Sequence, residues 1–243
     1  MKILAIDAGN TRVKWGWAED GRWTRFSWVP TAEAKNLAEA LATMPAPDRV
    51  VVSNVAGGTV GEEIRSALAR FPQEPIWVKG AAEQCGVRSG YNDPAQLGSD
   101  RWAALIGAWH LFRGPCVVVN AGTTMTVDAL SGDALFLGGF IVPGMELMRA
   151  SLAHNTAQLK LEEGVFTYFP DRTADGIASG SINALAGAVE RMLRYLAEGG
   201  EPDALVALSG GGAEMLAPRL NARVEVVDNL VLEGLACIAL DTQ

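Results

Sequence analysis

The stretch that decides the fold is residues 2–14, KILAIDAGNTRVK. An apolar run ends at Asp7, the small residues 8–10 follow, and a second strand-like stretch begins near Arg12. Gly and Asn tolerate the backbone angles of a tight reversal, so the stretch predicts two antiparallel strands joined by a hairpin. A hairpin alone does not require a carboxylate at the end of an apolar strand. Asp7 is therefore a candidate functional residue as well as a candidate turn residue.

The same layout returns in residues 116–130, CVVVNAGTTMTVDAL. In both stretches a strand runs into Asp or Asn, then into Ala-Gly and two polar residues, and a further strand follows. We expect a third strand in each copy, near 22–28 and within 132–144, because apolar and aromatic residues recur there between turn residues. The chain thus predicts two similar half-domains, 1–113 and 114–243, with no linker rich in Pro or Ser between them.

Helical and strand patterns alternate after each copy. In the first half we expect a helix near 31–43, a strand at 49–55, a helix near 58–70, a strand at 75–79 and a helix from Ser99 onward. In the second half we expect a long helix at 173–198, then a strand, a glycine-rich turn and the start of a helix within 203–216. Such alternation after an antiparallel start predicts an α/β fold whose sheets are covered by helices.

Composition narrows the class of protein. The chain has 243 residues, a formal net charge of −8 and no block of consecutive basic residues, which argues against binding to nucleic acid or to an anionic membrane. No stretch approaches the ~18 apolar residues of a spanning helix, and the first residues lack a signal-peptide pattern, so we expect a cytoplasmic protein. Two histidines and three separated cysteines, without metal-ligand spacing, disfavour a zinc site and a Ser-His-Asp triad.

Three glycine-containing turns, at 7–11, 120–124 and 209–212, are candidates for a nucleotide site. A bound phosphate needs backbone N–H donors that can approach it closely, and Gly allows that approach. One such turn alone is most often only a turn. Two in corresponding places of the halves could hold a phosphate chain, and Ser209–Gly212 could hold an adenosine or a ribose. The absence of GxxxxGK[ST] and GxGxxG argues against a P-loop or a Rossmann site.

Five motifs occur in one order: DAGNTRVK at 7–14, GSDRWAA at 98–104, NAGTT at 120–124, GGFIVPG at 138–144 and LSGGGAE at 208–214. In this combination the chain resembles the type III pantothenate kinases of the actin, sugar kinase and heat-shock chaperone ATPase superfamily. The most specific element is YNDPAQLGSDR at 91–101, which resembles the family's substrate segment and which general members of the superfamily lack.

The resemblance implies an α/β fold of two ribonuclease H-like half-domains. Each is an actin-like ATPase half with a mixed five-stranded sheet flanked by helices, and the nucleotide is implied to lie in the cleft between them. The implied activity is ATP-dependent phosphorylation of pantothenate to 4′-phosphopantothenate, the first step of coenzyme A biosynthesis. The implied partners are pantothenate, ATP and Mg²⁺, together with a second copy of the chain in a homodimer.

The family's functional residues also map onto this chain by resemblance. Asp100 is implied to be the catalytic base. Asp7 is implied to hold Mg²⁺ through water, because Mg²⁺ uses few protein carboxylates and keeps part of its hydration shell. The phosphate motifs of ATP binding fall on Asp7, Ala8, Gly9, Asn10, Thr11, Arg12, Val13, Lys14, Gly122 and Thr123. The substrate contacts fall on Tyr91, Gly98, Ser99, Asp100, Arg101 and Thr173, the last in a pattern with Gly176 and Ile177.

These residue types suit phosphoryl transfer to an alcohol, which needs a proton acceptor and neutralisation of the phosphate oxygens. Asp100, in the first turn of a helix capped by Ser99, should be ionised because a helix N-terminus favours a carboxylate. Arg101 offers a fork that fits the carboxylate of pantothenate. Purely structural roles stay open: a first-turn acid for Asp100, a turn cap for Asp7, solvated surface positions for Arg101 and Lys14, and loop or cap positions for Tyr91 and Thr173.

The chain departs from the family pattern at Asn120, where the family has an Asp that binds K⁺ or NH₄⁺. Asn keeps an oxygen ligand but lacks the charge, so we expect weak or absent dependence on a monovalent cation, although Asp128 could partly compensate. Two other functions stay open. Another small-molecule or sugar kinase on this fold is disfavoured by GSDR at 98–101, and a non-catalytic accessory or regulatory factor is disfavoured by the retention of Asp7, Asp100 and Thr123.

Overall fold

A computed structural model of the chain describes residues 1–156, 158–159 and 162–241. The chain folds as two units. The first comprises Met1–Arg113 and the segment that starts at Asn229, and the second comprises Gly114–Asp228.

The strands, in chain order, are β1 (Lys2–Ala8), β2 (Arg12–Glu19), β3 (Arg22–Pro30), β4 (Arg49–Asn54), β5 (Ile76–Trp77), β6 (Glu83–Gln84), β7 (Val87–Ser89), β8 (Cys116–Ala121), β9 (Thr124–Leu130), β10 (Leu135–Pro143), β11 (Leu205–Ser209) and β12 (Val224–Val226). The helices are α1 (Leu37–Ala40), α2 (Gly58–Leu68), α3 (Ser99–Phe112), α4 (Met145–Asn155), α5 (Thr173–Glu198), α6 (Ala213–Leu216) and α7 (Leu230–Asp241). Short 3₁₀ turns occupy Thr31–Asn36, Pro94–Gln96 and Ala217–Arg219.

The two units repeat one strand order. The first sheet runs β3-β2-β1-β4-β5, and within the second unit the order is β10-β9-β8-β11-β12. The central strand β1 pairs antiparallel with β2 and parallel with β4, and β8 pairs in the same way with β9 and β11. A central strand has neighbours on both edges and is covered on both faces, which explains the apolar runs of β1 and β8. The expected α/β fold with mixed, helix-flanked sheets is confirmed.

Each sheet has a core on one face. In the first unit Leu4 and Ile6 of β1 pack with residues of α1 and α2, including Leu37 and Ile64, and all four are fully buried. In the second unit the corresponding face of β8 packs against α5. Side chains alternate between the faces of a strand, so Asp7 lies on the opposite face of its sheet from Leu4 and Ile6.

The last helix, α7, belongs to the first unit, where it packs on α3. The helices approach so closely that a Cβ on Gly234 would lie 1.7 Å from the carbonyl oxygen of Ala103, and one on Gly107 would lie 2.6 Å from that of Leu230. The sequence-based boundaries 1–113 and 114–243 place this helix with the second half. The structure differs because two glycines on facing helices allow a backbone contact that the strand pattern does not reveal.

Local differences have identifiable causes. The helix expected at 31–43 is a 3₁₀ turn followed by the short α1, because Glu33 has non-helical backbone angles of φ −119° and ψ 30°. The strand expected at 75–79 is reduced to Ile76–Trp77. The helix α4 was not expected. By contrast, α5 spans Thr173–Glu198, the bounds that the sequence predicts.

Candidate active site

Asp7 lies near the end of β1, beside two other polar residues. It pairs in register with Lys14 on β2 and with Ser53 on β4, so the three side chains share one face of the sheet. The Oδ1 atom of Asp7 is shielded from solvent and has no hydrogen-bond partner among the described residues. A buried carboxylate oxygen without a donor is costly unless a proton or a cation meets it.

The titration of Asp7 reflects this setting. The pKa of Asp7 is raised to about 7: burial contributes most, the charge of Asp100 also raises the pKa, and the charge of Lys14 lowers it. The electrostatic effect of Asp100 means that the two carboxylates lie near one another. An oxygen ligand of this kind suits Mg²⁺, which takes few protein carboxylates and keeps several waters. The residues present therefore fit the metal that the resemblance implies.

The turn after Asp7 is the expected hairpin. The backbone N–H of Gly9 donates to the carbonyl of Arg12 at 3.0 Å, and the hydroxyl of Thr31 donates to the carbonyl of Gly9 at 2.7 Å. Asn10 and Thr11 are exposed at its tip. Ala8 and Val13 are fully buried in the core, so within the expected phosphate loop only the backbone of these two residues is available to a ligand.

Asp100 lies in the first turn of α3, and its carboxylate folds back over that turn. Its Oδ1 accepts the backbone N–H of Arg101 at 2.8 Å. Burial raises the pKa of Asp100, while that N–H and the charge of Arg101 lower it, and the net direction is upward. The helix N-terminus alone predicted the opposite direction. A more basic carboxylate is a stronger proton acceptor.

The two residues that precede Asp100 have different structural roles. Gly98, not Ser99, is the N-cap of α3, and a Cβ on Gly98 would lie 2.7 Å from Oδ1 of Asp100. Ser99 is the first helical residue, and its hydroxyl lies 2.9 Å from the hydroxyl of Ser53 instead of capping the helix. The expected cap at Ser99 is therefore wrong, because its side chain is buried against β4.

Arg101 and Tyr91, both expected to contact substrate, are brought together. Nη1 of Arg101 donates to the hydroxyl of Tyr91 at 3.2 Å, and the guanidinium lies 5.9 Å from the centre of the tyrosine ring. Arg101 is only 7% exposed, so it is not a solvated surface residue. A buried guanidinium held beside a tyrosine hydroxyl is a preorganised donor for a carboxylate.

In the second unit, Asn120 occupies the position on β8 that Asp7 occupies on β1. It pairs in register with Thr126 on β9 and with Ser209 on β11. The loop that follows Ser209 lies against the loop that follows Asn120, since the N–H of Gly212 donates to the carbonyl of Ala121 at 2.9 Å. The structure thus brings together the second and third glycine turns that the sequence singled out.

Glycine is required where these two loops meet. Gly210 has a φ of +96°, and a Cβ there would lie 2.5 Å from the carbonyl oxygen of Ala121. Gly122 and Thr123 at the tip are exposed. The carbonyl of Thr123 accepts the N–H of Gly144 at 2.9 Å, which ties the tip to the start of α4.

Thr173 is the first residue of α5 and is exposed. It lines a surface cavity of about 640 Å³ together with Gly176 and Ile177, the other two residues of its expected motif. The remaining lining comes from α4, α5 and the end of β10, including Pro143, Met148 and Leu152. Neither α4 nor this cavity is predicted by the sequence, because α4 has no buried residue and therefore no core-facing stripe.

Ser53 is the polar residue of this region that sequence analysis missed. It follows a run of valines on β4 and belongs to no motif, so nothing in its local sequence distinguishes it from an ordinary serine near a strand end.

Among the described residues, no group of three or more His, Cys, Asp or Glu side chains is placed to hold a metal ion. Within that part of the chain, every helix is too short or too polar to span a membrane.

The mixed, helix-flanked sheet that recurs in both units defines the fold of the actin-like ATPase class. A glucokinase of the ROK family from Streptomyces griseus, whose structure holds glucose and AMPPNP, superposes with a TM-score of 0.57 at 12% identity and covers 99% of each chain, a likeness of fold alone. The family model of type III pantothenate kinase matches residues 3–195.

Sequence relatives agree with the family match. The chain is 48% identical over 242 residues to the type III pantothenate kinase of Nitrosospira multiformis, covering 99% of this chain and 92% of that protein. It is 49% identical over 237 residues to that of Aromatoleum aromaticum, covering 98% and 97%. The chain belongs to the type III pantothenate kinase family, and it is a kinase that phosphorylates pantothenate, the first step of coenzyme A biosynthesis.

Proposed function

We propose that the protein transfers the γ-phosphoryl group of ATP to the 4′-hydroxyl of pantothenate, with Asp100 as the proton acceptor. The hydroxyl oxygen forms a bond to the γ-phosphorus, and the bond from that phosphorus to the bridging oxygen of ADP breaks. The hydroxyl proton passes to the carboxylate of Asp100. The observation that carries the proposal is the placement of Asp100 in a buried first turn near Asp7, with its pKa raised.

Asp100 is suited to this role by its geometry. Its carboxylate is held over the first turn of α3 by the N–H of Arg101. A positioned general base contributes about 10²–10⁴ to the rate, and its benefit grows as its pKa approaches the working pH. The upward direction of its pKa therefore favours catalysis near neutral pH.

Asp7 is proposed to hold Mg²⁺. The metal, when bound, neutralises charge on the transferred phosphoryl group. The chain's own contribution is a carboxylate whose shielded Oδ1 has no protein donor among the described residues and is thus open to an external cation or its waters. Lys14, which pairs with Asp7 in register, adds positive charge on the same face.

The phosphate loops are proposed to act through backbone N–H groups and small polar side chains. At the first hairpin the tip residues Asn10 and Thr11 are exposed, with Arg12 beside them. In the second unit the exposed tip formed by Gly122 and Thr123 offers the same chemistry. We further propose that each unit acts as one actin-like ATPase half.

Arg101 and Tyr91 are proposed to bind the carboxylate of pantothenate. The support is the hydrogen bond between them and the burial of Arg101, which reduces competition from water. Thr173 is proposed as a further contact through its hydroxyl, since its motif lines an open cavity in the second unit.

Three further properties are part of the proposal. Asn120 is neutral where the family has Asp, which supports weak or absent dependence on K⁺ or NH₄⁺.

A homodimer is supported by apolar side chains exposed on the second unit, with Ile141 63% and Leu147 44% exposed. Light scattering that gives the mass of one chain at micromolar concentration would overturn the dimer. A cytoplasmic location is proposed from the role in coenzyme A biosynthesis.

The rival functions differ in which acceptor is phosphorylated, or in whether any acceptor is phosphorylated at all. The decisive test incubates the protein with Mg²⁺ and ATP against pantothenate, glucose and N-acetylmannosamine, and identifies products by mass spectrometry. We expect a single new product, which carries one phosphate on pantothenate. Phosphorylation of a sugar without pantothenate turnover would support another kinase on this fold, and no product with any acceptor would support an accessory or regulatory factor.

A further inference from the structure

Ser53 is the last residue but one of β4 and lies beside the candidate metal residue Asp7. Its Cα pairs in register with that of Asp7 on the neighbouring parallel strand, so both side chains lie on the same face of the sheet. Ser53 is fully buried. Its hydroxyl is 2.9 Å from the hydroxyl of Ser99, which is also buried. Neither hydroxyl is required for a strand or a helix to form.

The bond between these hydroxyls joins α3, which carries Asp100, to β4, the neighbour of the strand that carries Asp7. Ser53 is on β4, next to the strand of Asp7, and Ser99 is the first residue of α3, directly before Asp100. The contact therefore fixes the start of α3 with respect to the strand end where Asp7 lies. It is a local link within the first unit.

Hydrogen bonds hold the residues that follow Ser53 in place. After Ser53, the side chain of Asn54 accepts the N–H of Ala56 at 2.9 Å and donates to the carbonyl of Gly57 at 3.0 Å. The N–H of Val55 donates to the carbonyl of Ala8 at 3.0 Å. The segment that follows Ser53 is thus held to β1 and closed into a turn, so Ser53 offers a fixed point for α3.

A shift of the first turn of α3 would move the carboxylate of Asp100. Oδ1 of Asp100 accepts the N–H of Arg101 at 2.8 Å within the same turn, so the carboxylate is held to the backbone of that turn. A displaced first turn would carry Asp100 with it. A misplacement of about 1 Å at a reacting group can cost about 100-fold in rate.

We propose that Ser53 is a positioning residue for phosphoryl transfer: its hydroxyl holds Ser99, and through Ser99 it holds the carboxylate of Asp100 where it accepts the proton of the substrate hydroxyl. This inference rests on the proposed role of Asp100. Ser53 itself does not contact substrate. Its removal should therefore act on the chemical step and leave the binding of both substrates nearly unchanged.

The test compares steady-state kinetics of wild type, Ser53→Ala and Ser131→Ala with pantothenate and ATP. We expect kcat of Ser53→Ala to fall about tenfold or more, with the KM of each substrate within about twofold of wild type. Ser131 is the matched control, since it is a buried serine of the second unit whose hydroxyl accepts the N–H of Leu135 at 3.1 Å, at a turn outside the site. Its kcat should stay at the wild-type value.

Two double variants separate positioning from general damage. Ser53→Ala should cause no further loss when it is added to Asp100→Asn, because the base on which it acts is already absent. Ser53→Ala with Ser99→Ala should be no slower than the slower single variant, since both remove one contact. An unchanged kcat in Ser53→Ala, or an equal fold loss with and without the Asp100 carboxylate, would overturn the proposal.

The activity of the wild-type protein distinguishes a failure of the proposed function from a failure of the positioning role. An inactive wild type would overturn the proposed function and this inference with it. An active wild type with an unaffected Ser53→Ala would overturn only the positioning role. If Ser53→Ala does not fold, Ser99→Ala and Ser99→Ala with Asp100→Asn make the same comparison from the helix side, with the loss of kcat again expected only when Asp100 is present.

Discussion

Replacement of Asp7 by Asn should stabilise the free protein, and increasingly so as the pH rises. Burial, followed by the charge of Asp100, raises the pKa of Asp7 from 3.8 to about 7. In the unfolded chain this carboxyl loses its proton near pH 4, whereas in the folded protein it keeps the proton to about pH 7. The stability that this proton contributes is fully present below about pH 4 and is lost as the pH rises through 7.

The magnitude follows from the size of the shift. The folded value of about 7 exceeds the ordinary value of 3.8 by about three units, and each unit corresponds to about 1.4 kcal/mol. The full difference is therefore about 4 kcal/mol above pH 7. Relaxation of the protein and entry of water reduce such penalties, so we expect Asp7→Asn to gain about 2–4 kcal/mol at pH 8 relative to its effect at pH 4.

The assay is urea unfolding of wild type and Asp7→Asn at pH 4, 5, 6, 7 and 8 without Mg²⁺ or nucleotide. The difference in unfolding free energy should grow with pH and level off above pH 7. Asp203→Asn, which removes an exposed carboxyl, is the control for loss of a charge in general. If the difference in unfolding free energy between the two proteins is the same at pH 4 and at pH 8, Asp7 is not a buried carboxyl with a raised pKa.

Three further outcomes are expected. Arg101→Lys should raise the KM for pantothenate about tenfold or more with a smaller change in kcat, because an ammonium cannot replace a fork held beside Tyr91; an unchanged KM would remove Arg101 from substrate binding. Gly234→Ala should lower unfolding free energy by about 3 kcal/mol, since its Cβ would lie 1.7 Å from the carbonyl of Ala103. Gly187→Ala, on an open face of α5, is the control for that change in urea unfolding and should not destabilise. Asn120→Asp should increase the activation of turnover by K⁺ over a large inert cation, and the same response in both proteins would show that this position does not set cation dependence.

The sequence predicted the parts of the fold that depend on local pattern. The two hairpins follow from apolar strands that run into Gly-containing turns, and α5 follows from a periodic pattern over its 26 residues. The sequence also predicted that the Asn120 and Ser209 turns belong to one nucleotide site, and in the structure the two turns are in contact. Their roles toward a nucleotide stay a prediction.

The remaining features depend on contacts between distant residues. The return of α7 to the first unit rests on the close approach of Gly234 to Ala103, which no local pattern encodes. The Ser53 and Ser99 hydroxyls are 46 residues apart in sequence, so Ser99 was expected to cap its own helix. The sequence predicted that the helix N-terminus favours the ionised form of Asp100. It did not predict that burial raises the pKa of this carboxyl, because burial is a property of the whole unit.

The most direct test of the account is ADP release coupled to pantothenate, measured for wild type and Asp100→Asn. We expect wild type to release ADP only when pantothenate is present, and Asp100→Asn to be slower by about 10²-fold or more while it still folds and still binds ATP. Full activity of Asp100→Asn would remove Asp100 from the role of base. The absence of pantothenate-dependent ADP release by wild type would contradict the account as a whole.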